Sequence, residues 1–332
     1  MKYMITGGAG FIGANFISYI LSKYPDAKVI CIDSLTYAGN VENFKSFDKS
    51  RFIFEYADIC NRDRIFELTE KHMPDCIVNF AAESHVDRSI TGPSVFVRTN
   101  VLGCANLLDA AKSFNISRFH QISTDEVYGD IPEPEFSTEE SPLAPSSPYS
   151  ASKASADLLT LSYFKTFKTP VTISRCSNNY GAMQFPEKLI PLTIYNILKG
   201  NNVNIYGNGM QCRDWIYVAD HCRAIDLILN SGIEGQIYNV GSSVTKNNIE
   251  TVELIADAIG KRADIIHVTD RPAHDKRYAI DSRKLRTKLG WQPTLDYEEG
   301  IRLTVKWYLD NQQWCENIMN KSYKEKNKEY IK

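Results

Sequence analysis

Through the first half of the chain, short apolar runs alternate with stretches whose apolar residues recur every three or four positions. Residues 2–6, 28–33, 52–56, 76–81, 119–123 and 171–175 read as strands, and residues 10–24, 62–71, 95–114 and 149–167 as helices. Such alternation predicts βαβ units and a parallel sheet covered on both faces. A Pro/Ser-rich loop, SPLAPSSPYS, punctuates the start of the last helix and is long enough to be functional. After about Asn178 the rhythm becomes irregular, with Gly/Asn turns at 200–202 and 206–209. Residues 217–230 then read as an amphipathic helix and 236–240 as a strand that rejoins the first sheet. The pattern divides the chain into residues 1–177, completed by about 212–240, and a smaller interleaved lobe of 178–211 and 241–332. The closing KSYKEKNKEYIK is expected to be a solvated or frayed terminus.

Composition narrows the class. Of 332 residues, 43% are hydrophobic and 23% charged, which is ample for a core and gives no case for disorder. The 38 basic residues against 40 acidic ones give a net charge of -2, which argues against a nucleic-acid or anionic-membrane binder. The eight cysteines show no C-x-x-C pair or zinc-ligand spacing and read as reduced thiols of a cytoplasmic protein with no metal. No apolar run approaches the roughly 18 residues of a membrane span. Glycines interrupt the apolar start, which also lacks a small-residue cleavage site, so it is not read as a signal peptide.

The first strand runs into Thr6-Gly7-Gly8-Ala9-Gly10-Phe11-Ile12-Gly13 and then a helix. Glycines here permit a tight turn, and they let backbone amides and a helix N-terminus approach a pyrophosphate. Asp33 ends the next strand about 20 residues beyond Gly13, where a carboxylate accepts the ribose hydroxyls of an adenosine and repels a 2′-phosphate. Strand, glycines, helix and acid together predict a Rossmann-type doubly wound α/β fold that binds NAD in preference to NADP. Asp58, closing the third strand, is placed for the adenine end.

Tyr149 and Lys153 stand at i and i+4, on one face of a helix. An ammonium near the phenol is expected to lower the tyrosine pKa so that it takes a hydroxyl proton as hydride leaves the same carbon. With the glycine turn, this couple resembles the signature of the extended short-chain dehydrogenase/reductase superfamily. The fifth strand ends in Ser123-Thr124-Asp125-Glu126, and ligands sit at such carboxyl edges. Two carboxyls with split pKa values supply an acid and a base, which a plain dehydrogenase does not need. If hydride transfer makes a ketone at sugar C4, the C5 proton becomes acidic; a base removes it while an acid protonates the departing C6 hydroxyl, and hydride returns to C6.

Nearly the whole chain is similar to the dTDP-glucose 4,6-dehydratase family. The resemblance is carried by TGGAGFIG, DSLTYAGN, FAAESHVDRSI, STDEVYGD, SPYSASKASAD, CSNNYG, FPEKLIP, RDWIYVADH and DRPAHDKRYAID. It implies Thr124 as hydroxyl orienter, Asp125 as general acid, Glu126 as general base, Tyr149 as the base for C4 oxidation and Lys153 as its partner. It implies NAD contacts at Phe11 and Ile12 beside Gly7, Gly10 and Gly13, at Asp33, Ser34, Leu35 and Thr36, and at Asp58 and Ile59. Further NAD contacts are implied at Ala81, Ala82, Thr99 and Asn179. For a small-molecule sugar-nucleotide substrate it implies Ser84, Asn178, Lys188 and Leu189, then Asn204, Ile205 and Tyr206, then Arg213 and Asn248, and finally Asp270, Arg271, Pro272, Ala273 and His274. Lys188, Arg213 and Arg271 are also cations suited to a diphosphate. A homodimer through the helices near 95–114 and 149–167 is implied too.

Other readings stay open beside this one. Tyr206 is equally plausible stacked on a pyrimidine or in the core, and His85 is read as structural. Ala182-Met183, Ala273 and Gly241-Ser242-Ser243-Val244 depart from the family pattern on the nucleotide side, leaving the choice of dTDP- or UDP-glucose open. A nucleotide-sugar 4-epimerase shares the glycine loop and Tyr/Lys couple without needing the Thr-Asp-Glu trio. An idle NAD-binding scaffold would not need the trio either.

Overall fold

The computed structural model describes residues 1–270 and 275–331. The larger lobe opens with β1 (Lys2–Thr6), α1 (Phe11–Lys23), β2 (Lys28–Asp33), β3 (Phe52–Tyr56), α2 (Arg62–His72) and β4 (Cys76–Asn79). Two short helices follow, α3 (Val86–Thr91) and α4 (Pro93–Phe96), then a π-helical stretch Val97–Gly103 that runs into α5 (Cys104–Ser113). Next come β5 (Arg118–Thr124), a 3-10 turn at Asp125–Tyr128, α6 (Pro148–Phe167) and β6 (Val171–Cys176). The smaller lobe begins with β7 (Asn178–Tyr180), α7 (Leu189–Lys199), β8 (Val203–Tyr206) and β9 (Cys212–Tyr217). The chain returns through α8 (Val218–Ser231) and β10 (Ile237–Val240). It finishes with β11 (Thr245–Asn247), α9 (Asn248–Ile259), β12 (Ile265–Val268), α10 (Arg283–Leu289), α11 (Tyr297–Asp310), α12 (Gln312–Met319) and α13 (Tyr323–Lys328).

Seven strands form one sheet in the order β10-β6-β5-β4-β1-β2-β3, with every neighbouring pair parallel. The doubly wound α/β expectation therefore holds. The order reverses between β1 and β4, and a crevice opens at their carboxyl ends, where open α/β sheets bind ligands. One face of the sheet buries Phe16, Ile17 and Ile20 of α1 with Ile225 and Leu229 of α8. The other face buries Ile65 and Leu68 of α2 with Leu107 and Leu108 of α5. Both faces are thus dry, as the unbroken apolar runs of β1 and β2 require.

The helix expected at 95–114 is interrupted by the π-helical stretch. Its wider turn carries Asn100 to Glu83 and Ser152, where the side chain makes three hydrogen bonds. The expected partition shifts as well. Cys212–Tyr217 pairs with β7 and β11 in a separate three-stranded sheet, so only α8 and β10 return to the large one. The tail is not frayed: Tyr323 and Asn327 are buried, and α12 adds Trp314, Cys315 and Ile318 to the core of the smaller lobe. All eight cysteines are free thiols. Among the described residues, no helix is long and apolar enough to cross a membrane, and no cluster of side chains could hold a metal ion.

Candidate active site

One cleft of about 850 Å³ runs from the turn after β1, past the carboxyl ends of β4 and β5, to β8 and α9 of the smaller lobe. At its first end, Gly7 sits at φ +69°, and a Cβ there would stand 2.6 Å from the Ala81 nitrogen. A Cβ on Gly13 would stand 2.4 Å from the Gly7 carbonyl oxygen, so the turn packs on α1 only as glycine. No side chain caps α1 at Gly10, and Gly10, Phe11, Ile12 and Gly13 line the cleft at the helix N-terminus, a ready site for an anion. Asp33 closes this end. Its Oδ2 accepts from the Ala9 amide at 2.9 Å and its Oδ1 from the Leu35 amide at 2.8 Å. Burial pushes its pKa up, and the two amides offset only part of that rise.

Most residues expected at the cofactor end line this cleft: Ser34, Thr36, Asp58, Ile59, Ala81, Ala82, Thr99 and Asn179 join the glycines and Asp33. Leu35 does not. Its φ of +50° turns the backbone so that its amide reaches Asp33, and its side chain joins the core.

Between the two ends stands the chemistry. Thr124 is the last residue of β5 and caps the 3-10 turn: its Oγ1 accepts from the Glu126 amide and donates to Asp125 Oδ1, both at 3.3 Å. Asp125 is 2% exposed, its Oδ2 has no hydrogen-bond partner among the described residues, and it is not among the cleft-lining residues. Burial holds its carboxyl pKa well above the ordinary value, helped by the charges of Glu126 and Asp214. A carboxyl biased toward its protonated form thus lies beside Glu126, which does line the cleft.

Tyr149 and Lys153 arrive by way of a capping box. Ser147 Oγ accepts from the Ser150 amide and the Ser147 amide donates to Ser150 Oγ, with Pro148 at the first helical position, so α6 begins one residue before the tyrosine. The expectation that Lys153 would lower the Tyr149 pKa fails here. Burial and then the Glu126 charge push the phenol well up, while burial lowers the Lys153 pKa and its Nζ donates to the Ile122 carbonyl at 2.5 Å. Desolvation is the largest cause of both shifts.

At the far end, Ser84, Asn178, Lys188, Leu189, Asn204, Ile205, Tyr206, Arg213 and Asn248 all line the cleft. Tyr206 is 41% exposed and donates to Asp87 at 3.3 Å, which removes the core reading. Arg213 is buried, donates to the Cys212 and Asp275 carbonyls at 2.7 and 3.0 Å, and stacks over the Tyr278 ring. Asp270 instead accepts from Gln211 at 3.0 Å and is not on the cleft wall. Arg271, Pro272, Ala273 and His274 lie outside the described residues. His85 is on the wall, with Nε2 3.7 Å from Glu187; burial lowers its pKa, so it stands as a neutral lining group.

Sequence reasoning missed Tyr278. It lines the cleft close enough to Glu126 for that charge to add to the effect of burial in raising its pKa, and its hydroxyl donates to Asp275 at 2.6 Å. The run from Asp270 to Asp281 contained it, but no spacing rule singled it out.

The chain as a whole is similar to known proteins. The family model described as GDP-mannose 4,6 dehydratase matches residues 4–304. The dTDP-glucose 4,6-dehydratase 1 of Escherichia coli K12 is 47% identical, with 97% of each chain covered. Among solved structures, the Bacillus anthracis dTDP-glucose 4,6-dehydratase in complex with NAD is 45% identical with a TM-score of 0.90, over 96% of this chain and 99% of that one. The Streptomyces venezuelae enzyme of the same name, with NAD and TYD bound, is 44% identical with a TM-score of 0.92, over 96% and 100%.

Proposed function

This chain belongs to the dTDP-glucose 4,6-dehydratase family, and from that membership we infer that it is an NAD-dependent hydro-lyase converting dTDP-glucose to dTDP-4-keto-6-deoxy-glucose. The observation that carries the reading is the carboxyl pair at the end of β5: Glu126 on the wall of the cleft shared with Tyr149 and the glycine turn, and next to it the buried Asp125, whose pKa burial holds well above the ordinary value. The residues fit NAD: a Cβ at Gly7 or Gly13 would collide within the turn, and Asp33 is held open to a ribose by two backbone amides. NAD, when bound, supplies a hydride acceptor that returns the same hydride, so the reaction has no net redox change, and its nicotinamide cation favours a neighbouring phenolate.

Family membership, with Thr124, Glu126, Tyr149 and Lys153 on the cleft wall, supports the following roles. Tyr149, as phenolate, takes the proton of the C4 hydroxyl while Thr124 orients that hydroxyl, and the C4 carbon becomes a carbonyl. Lys153, buried with its Nζ donating to the Ile122 carbonyl, holds the wall of the site beside Tyr149. Glu126 then removes the acidified C5 proton. Asp125 donates its proton to the C6 hydroxyl, which leaves as water with the electrons of the C6–O bond. Glu126 would give its proton back to C5 as the hydride returned to C6, completing the 4-keto-6-deoxy sugar, and the proton held by Tyr149 would pass through solvent to replace the one given up by Asp125. Arg213, Lys188 and the residues from Asn204 to Tyr206 hold the nucleotide and its diphosphate, and the division of labour is residues 1–177 with 218–240 for NAD and the remainder for the sugar nucleotide. A 4-epimerase leaves the two carboxyls without work, and so does a scaffold.

A homodimer is part of this proposal. Val97, Leu102, Leu158 and Phe167 expose half or more of their surface on the helical layers 93–113 and 148–167, an apolar face of the kind that a second copy covers. Eight unpaired thiols support a cytoplasmic setting. The test is a panel of dTDP-, UDP- and CDP-glucose read by mass. Loss of one water from dTDP-glucose is expected; an isobaric epimer, or preference for UDP-glucose, overturns the assignment.

A further inference from the structure

We propose that Trp314, Tyr323 and Asn327, in the last two helices of the chain, are positioning residues for NAD: they fix the two backbone segments that hold its adenosine ribose and its diphosphate. The inference rests on the NAD site described above and is independent of the sugar chemistry.

The loop after β2 carries Ser34, Thr36, Tyr37, Ala38 and Gly39 along the cleft wall. Its path is fixed from almost three hundred residues away. Asn327 Nδ2 donates to the Gly39 carbonyl at 2.7 Å while its Oδ1 accepts from the Val41 amide at 3.1 Å. The Tyr323 hydroxyl donates to the Tyr37 carbonyl at 2.6 Å. Each contact is to the loop's backbone, so each constrains the path of the chain and not merely its side chains. Gly39 in turn lies so close to Leu35 and Asp33 that a Cβ would stand 2.9 and 3.0 Å from their atoms, which transmits its position to the ribose carboxylate.

A second line runs from α12. Trp314 Nε1 donates to Asn43 Oδ1 at 2.9 Å, Asn43 Nδ2 donates to the Ala9 carbonyl at 2.9 Å, and the Ala9 amide donates to Asp33. Ala9 lies in the glycine turn, so this line ends at the diphosphate. Between the two lines, Glu42 is buried and accepts from Lys326 and from Asn317, whose amide lies 3.0 Å away. Asn327 is 4% exposed, and buried hydrogen bonds of this kind are costly to leave unmade. An aliphatic helix face would suffice to cover the loop; an amide that meets one loop donor and one loop acceptor also sets its orientation.

The test uses the full chain stripped of NAD, in three variants: Asn327→Ala, Tyr323→Phe, and Lys328→Ala, an exposed residue of α13 paired only with its neighbour Glu325 among the described residues. NAD and thymidine diphosphate are titrated separately by calorimetry. If the competent loop falls to about a tenth of the population, the NAD dissociation constant rises about tenfold. That rise is expected for Asn327→Ala, a smaller one for Tyr323→Phe, and none for Lys328→Ala, with thymidine diphosphate affinity unchanged throughout. Should Asn327→Ala fail to fold, Tyr323→Phe, which loses one hydroxyl, carries the test. Unaltered NAD affinity, or equal weakening toward both ligands, overturns the proposal. A wild-type chain that binds NAD but releases no water from any sugar nucleotide would defeat the dehydratase reading and leave this one standing.

Discussion

Two aspartates, Asp33 and Asp125, stand at the carboxyl ends of β2 and β5, both nearly excluded from water. Asp33 has a backbone amide on each oxygen; Asp125 has a long hydroxyl contact on one oxygen and, among the described residues, no hydrogen-bond partner on the other. Burial raises both pKa values, but only at Asp33 do strong donors oppose it, whereas at Asp125 two further carboxylates add to it. The same residue type at equivalent places in the sheet is thus finished as a binding group in one case and left neutral and unsatisfied in the other. A binding carboxylate is stabilised in its charged form; an acid catalyst must be kept from it.

The strongest way to break the comparison is to remove the charge next to Asp125. Glu126→Gln takes away the proposed base without touching the Asp33 end, so dehydration of dTDP-glucose should fall about 10²–10⁴-fold while NAD affinity stays the same. Single-turnover mass analysis reads the first quantity and calorimetry the second; undiminished water loss would remove Glu126 from its role. A smaller effect is expected at the other end. In Asp33→Asn one of the two amides loses its acceptor and meets an NH₂ group instead, costing about 1–3 kcal/mol of stability together with NAD affinity. Urea unfolding of the cofactor-free chain measures that cost, and a variant as stable as the wild type would show that the two amides do not need the carboxylate.

The sequence made one side of this contrast far more legible than the other. The glycine turn and Asp33 are local: strand, turn and helix are contiguous, and the acid follows at a fixed distance, so period and spacing suffice. The six strands expected in the first half form, with shifts at their ends of two residues or fewer. Thr124, Asp125 and Glu126 were also visible as a string, but their state was not. What raises Asp125 includes Asp214, which lies in another sheet, and what sets Tyr149 is burial together with Glu126. The lysine's partner proved to be a carbonyl of β5, which no helical spacing reveals. The tail failed for the same reason. Its lysines and glutamates read as a solvated end, while Tyr323 and Asn327 meet backbone atoms some 286 and 288 residues away.

The mildest perturbation separates the two aspartates most cleanly, through pH. An aspartate in an unfolded chain titrates near about 3.9, whereas folded Asp125 is raised well above its ordinary value. Below the unfolded pKa both states hold the proton and Asp125 costs nothing on this account. As the pH rises past it, the unfolded chain releases its proton and the folded chain does not, so folding loses up to about 1.4 kcal/mol per pH unit until the folded pKa is reached. Asp125→Asn keeps a group of the same shape with no proton to lose. The variant should therefore gain stability relative to the wild type as pH rises above the unfolded value of about 3.9, by up to about 1.4 kcal/mol for each unit until the folded carboxyl ionises, while its dehydratase activity disappears. The Asp33 carboxyl is raised too, but less, because two amides oppose the rise, so Asp33→Asn should gain less with increasing pH and stay unfavourable, since the lost amide acceptor is there at every pH. Urea unfolding of the three cofactor-free proteins at several pH values provides the measurement. If the Asp125→Asn advantage shrinks with rising pH, the carboxyl is charged in the folded protein and cannot be the proton donor for the departing C6 hydroxyl.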